Sequence, residues 1–182
     1  MTPDDSRGGA RRRVFTAALL LLLCAPGAAC RTSADRGDAR PLAHTFDSPS
    51  AAAAAVADAL ARKDLEALRT LTLSEHEFRT IVWPELPSSR PEVNLPVAYA
   101  WGTLQQTSQN SLGTTFSTHG GRRYTVVGVE FAGGTTRYES FAVHRKAQML
   151  VRGEDGAEQR LALFGSLLER EGRFKIFSYV TD

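Results

Sequence analysis

The sequence predicts an α+β domain in which N-terminal helices pack in a curved four-stranded antiparallel sheet. Three observations predict it. The last third of the chain, from about Arg122 to Thr181, is rich in β-branched and aromatic residues, and glycine-containing turn pairs punctuate it. From Ser48 to Phe116, apolar residues instead recur at helical spacing. Both faces of the expected sheet carry apolar side chains, so both need a cover.

Strand one is expected over Arg122–Ala132, with Tyr124, Val126, Val127, Val129 and Phe131. Gly133-Gly134 then reads as a two-residue hairpin turn. Strand two is expected from about Arg137 to Arg152. Phe141, Val143, Ala147, Met149 and Val151 alternate with Ser140, His144, Lys146 and Gln148, the period of a half-buried strand. Asp155-Gly156 is the next turn signal. Strand three spans about Gln159–Glu169, Glu171-Gly172 turns the chain, and strand four spans Arg173–Thr181.

With Glu171-Gly172 as the loop, Leu167 faces Ile176 and Leu163 faces Val180. Leu161, Leu163, Leu167, Phe174 and Ile176 then form a core face. Phe164, Leu168, Phe177 and Tyr179 fall on the other face, which calls for a partner subunit or a ligand. Arg170 opposes Arg173, a like-charge pair that solvent or an anion must screen. Whether Phe141, Val143 and Met149 join the Phe164 face depends on the Asp155-Gly156 turn, because a one-residue slip reverses every side chain.

The helices precede the sheet. Ser48-Pro49 is an N-cap followed by proline at the first helical position. The helix runs through the alanine repeat to Lys63, and so much alanine requires close packing against a neighbour. Asp64 caps a second short helix, with Leu65, Leu68 and Leu71 inward. Ser74 and Glu77 form a capping box for a third, whose apolar face is Phe78, Ile81 and Val82. Pro84 ends it. Trp83–Asn94 reads as an ordered proline-rich loop. Asn94 is expected to cap a fourth helix carrying Val97, Trp101, Leu104, Leu112 and Phe116.

Residues 1–30 read as a targeting segment. Arg11, Arg12 and Arg13 precede an apolar stretch, Val14 to Leu23, too short for the roughly 20 residues that span a bilayer. Arg12-Arg13 is also compatible with twin-arginine export. Gly27-Ala28-Ala29-Cys30 is similar to the bacterial lipoprotein cleavage box, which makes Cys30 the expected lipidation site and the membrane the expected partner. Ordinary signal-peptidase cleavage nearby is the alternative. Residues 31–47 are polar and aperiodic and read as a disordered tether. No cysteine follows Cys30, which excludes internal disulfides and cysteine metal sites in the domain of residues 48–182.

Of the chain's 22 basic and 20 acidic residues, four and two precede Cys30, leaving 18 of each. A neutral domain without a basic stripe is not expected to bind nucleic acid.

The chemistry-bearing residues are few. His44, His76, His119 and His144 are scattered without metal-ligand spacing, so no metal and no cofactor are expected. Arg145 interrupts the apolar row of strand two. It must reach water, pair, or contact an anion, since isolated burial of a charge is costly. Trp83, Tyr99 and Trp101 flank the proline-rich loop, as core or as an aromatic pocket mouth. Arg145, Tyr99, Trp101 and Trp83 are therefore the candidate ligand-binding residues. No catalytic constellation stands out.

The order of helices followed by an antiparallel meander resembles the nuclear-transport-factor-two-like superfamily. The stretch from Val56 to Leu68 resembles that superfamily's first two helices. The resemblance implies a cone-shaped domain with a pocket at its wide end. It also implies a possible homodimer through the outer sheet face, here Phe164, Phe177 and Tyr179. Isomerase-like members take a catalytic carboxylate from near a hairpin whose place Trp83–Asn94 occupies here, and no Asp stands there. The function expected is a non-enzymatic, exported, lipid-anchored module of the bacterial envelope, periplasm-facing or at the cell surface, that binds a small ligand or a protein. The alternative is a small-molecule isomerase or cyclase of the same fold.

Overall fold

The computed structural model describes residues 41–181. The targeting segment, Cys30 and the first part of the tether lie outside the described residues. The fold is α+β, with four α-helices and seven strands in two antiparallel sheets among the described residues.

Helix α1 (Pro49–Ala61) starts where Ser48 Oγ accepts the Ala51 amide at 3.1 Å. Its Ala52, Ala53, Ala57 and Ala59 are buried with Val56 and Leu60, so the small side chains let the helix lie close to its neighbours. Helix α2 (Leu65–Thr70) is capped by Asp64, which accepts the Ala67 amide at 2.9 Å. Helix α3 (Glu75–Glu77) has the expected capping box, a device worth about 1 kcal/mol. It runs on as a π-helical turn, Phe78–Val82, closed by the Trp83 amide on the Phe78 carbonyl. Three 3₁₀ turns follow: Trp83–Glu85, Pro87–Ser89 and Pro91–Val93. Each has proline in its first two positions. Asn94 does not cap the next helix. It ends the last 3₁₀ turn in the left-handed region, and Pro96 precedes α4 (Val97–His119).

The single four-stranded sheet is replaced by two. The three-stranded sheet has the order β1 (Thr125–Phe131), β4 (Ala147–Arg152), β5 (Glu158–Leu161). The four-stranded sheet has the order β2 (Thr135–Arg137), β3 (Ala142–Arg145), β6 (Ser166–Arg170), β7 (Arg173–Ser178). Expected strands one and four form without a break, as β1 and β7, whereas expected strands two and three are each interrupted part-way. Lys146, in the left-handed region at φ 56°, divides β3 from β4. Ala132–Gly134 divides β1 from β2, and residues 162–165 divide β5 from β6.

These interruptions lie side by side. The Gly133 amide donates to the Arg145 carbonyl, the Ala147 amide to Gly165, and the Gly165 amide to Ser178, each at 3.0 Å. Gly133-Gly134 is therefore not a hairpin turn. A Cβ at Gly133 would sit 2.9 Å from the Arg145 Cβ, so glycine here serves a close approach of two backbones at a bend. The hairpin turns later, where the Tyr138 amide donates to the Phe141 carbonyl at 2.8 Å.

The turn at Glu171-Gly172 forms as predicted. Both residues have positive φ, 53° and 73°, and the pairs Arg170↔Arg173 and Leu167↔Ile176 follow. A bulge between Ser166 and Leu167 then shifts the register before Leu163 and Val180 can pair. Asp155-Gly156 sits in a longer loop, closed by the Gly153 amide on the Ala157 carbonyl at 3.0 Å.

Part of the stretch read as tether packs on the domain. Phe46 exchanges two 2.8 Å backbone hydrogen bonds with Phe174 on the free edge of β7. The Lys175 ammonium, 1% exposed, donates to the Ala43 carbonyl at 2.6 Å and lies 3.3 Å from the Glu77 carboxylate. Glu77 also accepts the Ala43 amide at 2.8 Å. Pairing with a sheet edge and a buried charge pair anchor a segment whose composition is polar.

One apolar core joins α1 and α2 to Met149, Leu163, Phe164, Leu167, Ile176 and Tyr179. A second gathers Phe78, Ile81, Val82, Phe141, Val143 and Leu168 under Trp83 and Trp101.

Candidate functional site

The line of strand interruptions is also where the surface is concave. Breaking three neighbouring strands at one level removes the side chains that would otherwise fill that level. A cleft of about 550 Å³ results. Its floor is Phe177 from β7, above the buried Val143 of β3, Ala147 of β4 and Phe164. Leu104 of α4 and Leu86, between two 3₁₀ turns, make one wall, and Val180 another. Tyr138, from the β2–β3 turn, stacks on Phe141 with ring centroids 4.6 Å apart and contributes to the lining. Gln148, Ser166 and Ser178 add polar groups. Arg145 and Lys146 are its cations, and no carboxylate is among the described lining residues.

Arg145 is placed here by the bend. Phe141 and Val143 before it are buried, as are Ala147, Met149 and Val151 after it. The left-handed Lys146 lets Arg145 leave that row and face solvent. Among the described residues its guanidinium makes no hydrogen bond or ion pair. Its backbone is fixed on both sides, by the Arg145 amide on the Gly134 carbonyl at 2.9 Å and by the Gly133 amide on its own carbonyl.

The aromatic residues expected beside Arg145 are elsewhere. Trp83 and Trp101 flank Phe78, with ring centroids at 6.0 and 5.3 Å, and belong to the second core. Tyr99 is 66% exposed on α4. None of the three lines the cleft. The face assigned to a homodimer is covered as well. Phe164 and Tyr179 are 0% exposed within the single chain, and the Tyr179 hydroxyl donates to the Leu68 carbonyl at 2.9 Å. Burial pushes that phenol's pKa up. These two residues have no surface to offer a second copy, and Phe177 faces the cleft.

The other ionisable groups serve the fold. His144 Nε2 is 2.7 Å from Glu169 and its Nδ1 2.8 Å from the Thr135 hydroxyl, with Phe131 against the ring. His119 Nδ1 is 2.8 Å from the Tyr124 hydroxyl, and burial lowers its pKa. Among the described residues, no cluster of His, Cys, Asp or Glu is arranged to hold a metal, and no helix is long and apolar enough to cross a membrane. The chain matches no known family model, no curated protein and no solved structure.

Leu86, Leu104 and Tyr138 are lining residues outside the expected binding set, whereas Phe164 and Phe177 belong to the face expected to need a partner subunit or a ligand. The apolar character of the Phe164 and Phe177 face was visible. What was hidden was that strand interruptions would turn part of that face into a cleft.

Proposed function

We propose that this protein is an exported, lipid-anchored module of the bacterial envelope that binds a small ligand in the cleft along the strand interruptions, without chemical turnover. The observation that carries it is the cleft itself: about 550 Å³, apolar side chains from Leu86, Leu104 and Phe177, and Arg145 at its edge with donors that no described residue engages. Small-molecule sites have this size and combine apolar surface with polar groups that fix orientation. Cys30 is the proposed membrane attachment. The order of helices ahead of strands supports reading the domain as a relative of the nuclear-transport-factor-two-like superfamily, with two sheets where a cone has one.

Native mass spectrometry of the protein exported by a bacterial host tests this reading. A mass excess that disappears on denaturation is expected for the wild type and not for Ala162→Trp, which fills the cleft from its rim. Equal masses under both conditions, with no small molecule released, contradict it.

A further inference from the structure

We propose that the ligand of this cleft is an amphiphilic carboxylate, an apolar chain against Leu86, Leu104 and Phe177 with its head on the Arg145 guanidinium. This rests on the reading of the cleft as a binding site and adds the chemical class. Three features of the lining converge on it. The first is the charge: the Arg145 guanidinium stands at the edge of the cleft, and among the described residues no carboxylate pairs with it. A ligand cation is repelled there. A neutral ligand leaves the guanidinium beside an apolar body without compensation, an unfavourable arrangement for a charge.

The second feature is donor geometry. Arg145 presents a planar fork of N–H donors, which suits the two oxygens of a carboxylate bidentately. Among the described residues none of those donors is already taken. Its backbone is clamped between the Gly133 and Gly134 hydrogen bonds, so less freedom is lost when the head group docks. The third feature is the floor. Leu104 and Phe177 belong to an apolar surface that continues into Leu86 and Val180, which a hydrocarbon chain covers and a small hydrophilic anion does not.

Isothermal titration with decanoate and with decanol, which share a chain and differ in the head, tests the class. Decanoate is expected to bind about tenfold or more tightly than decanol, the margin of a charge-assisted hydrogen bond. Arg145→Gln should bring decanoate to the affinity of decanol and leave decanol unchanged. Arg145→Lys, which keeps the charge and loses the fork, should fall between. Arg145 is exposed, so both variants are expected to fold, and circular dichroism checks that. Ala162→Trp should abolish binding of both molecules.

Equal affinities for decanoate and decanol, unmoved by Arg145→Gln, overturn the carboxylate class and leave the cleft as a binding site. Wild-type affinity in Ala162→Trp overturns the placement of the ligand. Binding of neither molecule by folded protein overturns the amphiphile, whereas the binding reading itself falls only with the mass-spectrometric result above.

Discussion

The pair formed by Lys175 and Glu77 makes the sharpest stability prediction. The two residues are 1% and 5% exposed, and their charged atoms are 3.3 Å apart. Glu77 is held further by the Ser74 amide at 2.8 Å, the Ser74 hydroxyl at 2.7 Å and the Ala43 amide at 2.8 Å. Removing one partner of such a pair leaves the other charge buried, at a cost of about 3–5 kcal/mol. Glu77→Gln leaves the ammonium with the Ala43 carbonyl as its main acceptor, so a loss of about 3 kcal/mol is expected. For a domain of this size that is roughly 10 °C in melting temperature. Adding Lys175→Met should recover part of the loss, because the double variant leaves no stranded charge.

The pH dependence fixes the sign. Burial raises the Glu77 pKa, but the Ser74 and Ala43 donors and the Lys175 charge outweigh it and hold it below the ordinary 4.5. A depressed folded-state pKa contributes stability that is full above the unfolded value and is lost as the pH falls through the folded one. The melting gap between wild type and Glu77→Gln should therefore be widest at neutral pH and narrow below pH 4.5. Thermal melts by circular dichroism from pH 7 to pH 3 measure it. A gap that stays constant over that range, or single losses that simply add in the double variant, would refute the reasoning.

Three other changes probe separate parts of the account. Among the described residues Arg170 Nε and Nη1 are buried without a hydrogen-bond partner, and the residue opposes Arg173, so Arg170→Met should keep or raise the urea midpoint; a clear fall contradicts this. Gly165→Ala places a Cβ 1.7 Å from the Val180 carbonyl oxygen, so it should cost about 3 kcal/mol or more in urea unfolding, and wild-type stability contradicts the packing at the strand break. Cys30→Ser should move the protein from the membrane to the soluble fraction of a cell-envelope preparation, and unchanged retention contradicts lipid anchoring.

Elements governed by local chemistry were legible in the sequence. Ser48, Asp64 and Ser74 cap the helices they were expected to cap, because a side-chain oxygen and an amide two or three residues on are all that a cap needs. The Glu171-Gly172 hairpin followed for the same reason. Long-range breaks were not legible. Gly133-Gly134 carries the signature of a tight turn, yet its backbone lies against Arg145 and Lys146, which only the partner strand's own bend at Lys146 explains. The site suffered from the same limit. Arg145 was found because it breaks an apolar alternation. Tyr138 and Phe177 were not joined to it, since their meeting depends on where three strands break together. Trp83 and Trp101 misled because large aromatics suit a core and a pocket mouth equally well.

The central claim is that the strand breaks create a ligand site. Amide shift mapping of the ¹⁵N-labelled domain during a decanoate titration tests it most directly. The account predicts the largest shifts at Gly133, Arg145, Gln148, Gly165 and Phe177, with Tyr99 and Val127 unmoved. Largest shifts instead at Ala57, Arg62 and Tyr124, which line a separate groove beside α1, would contradict it.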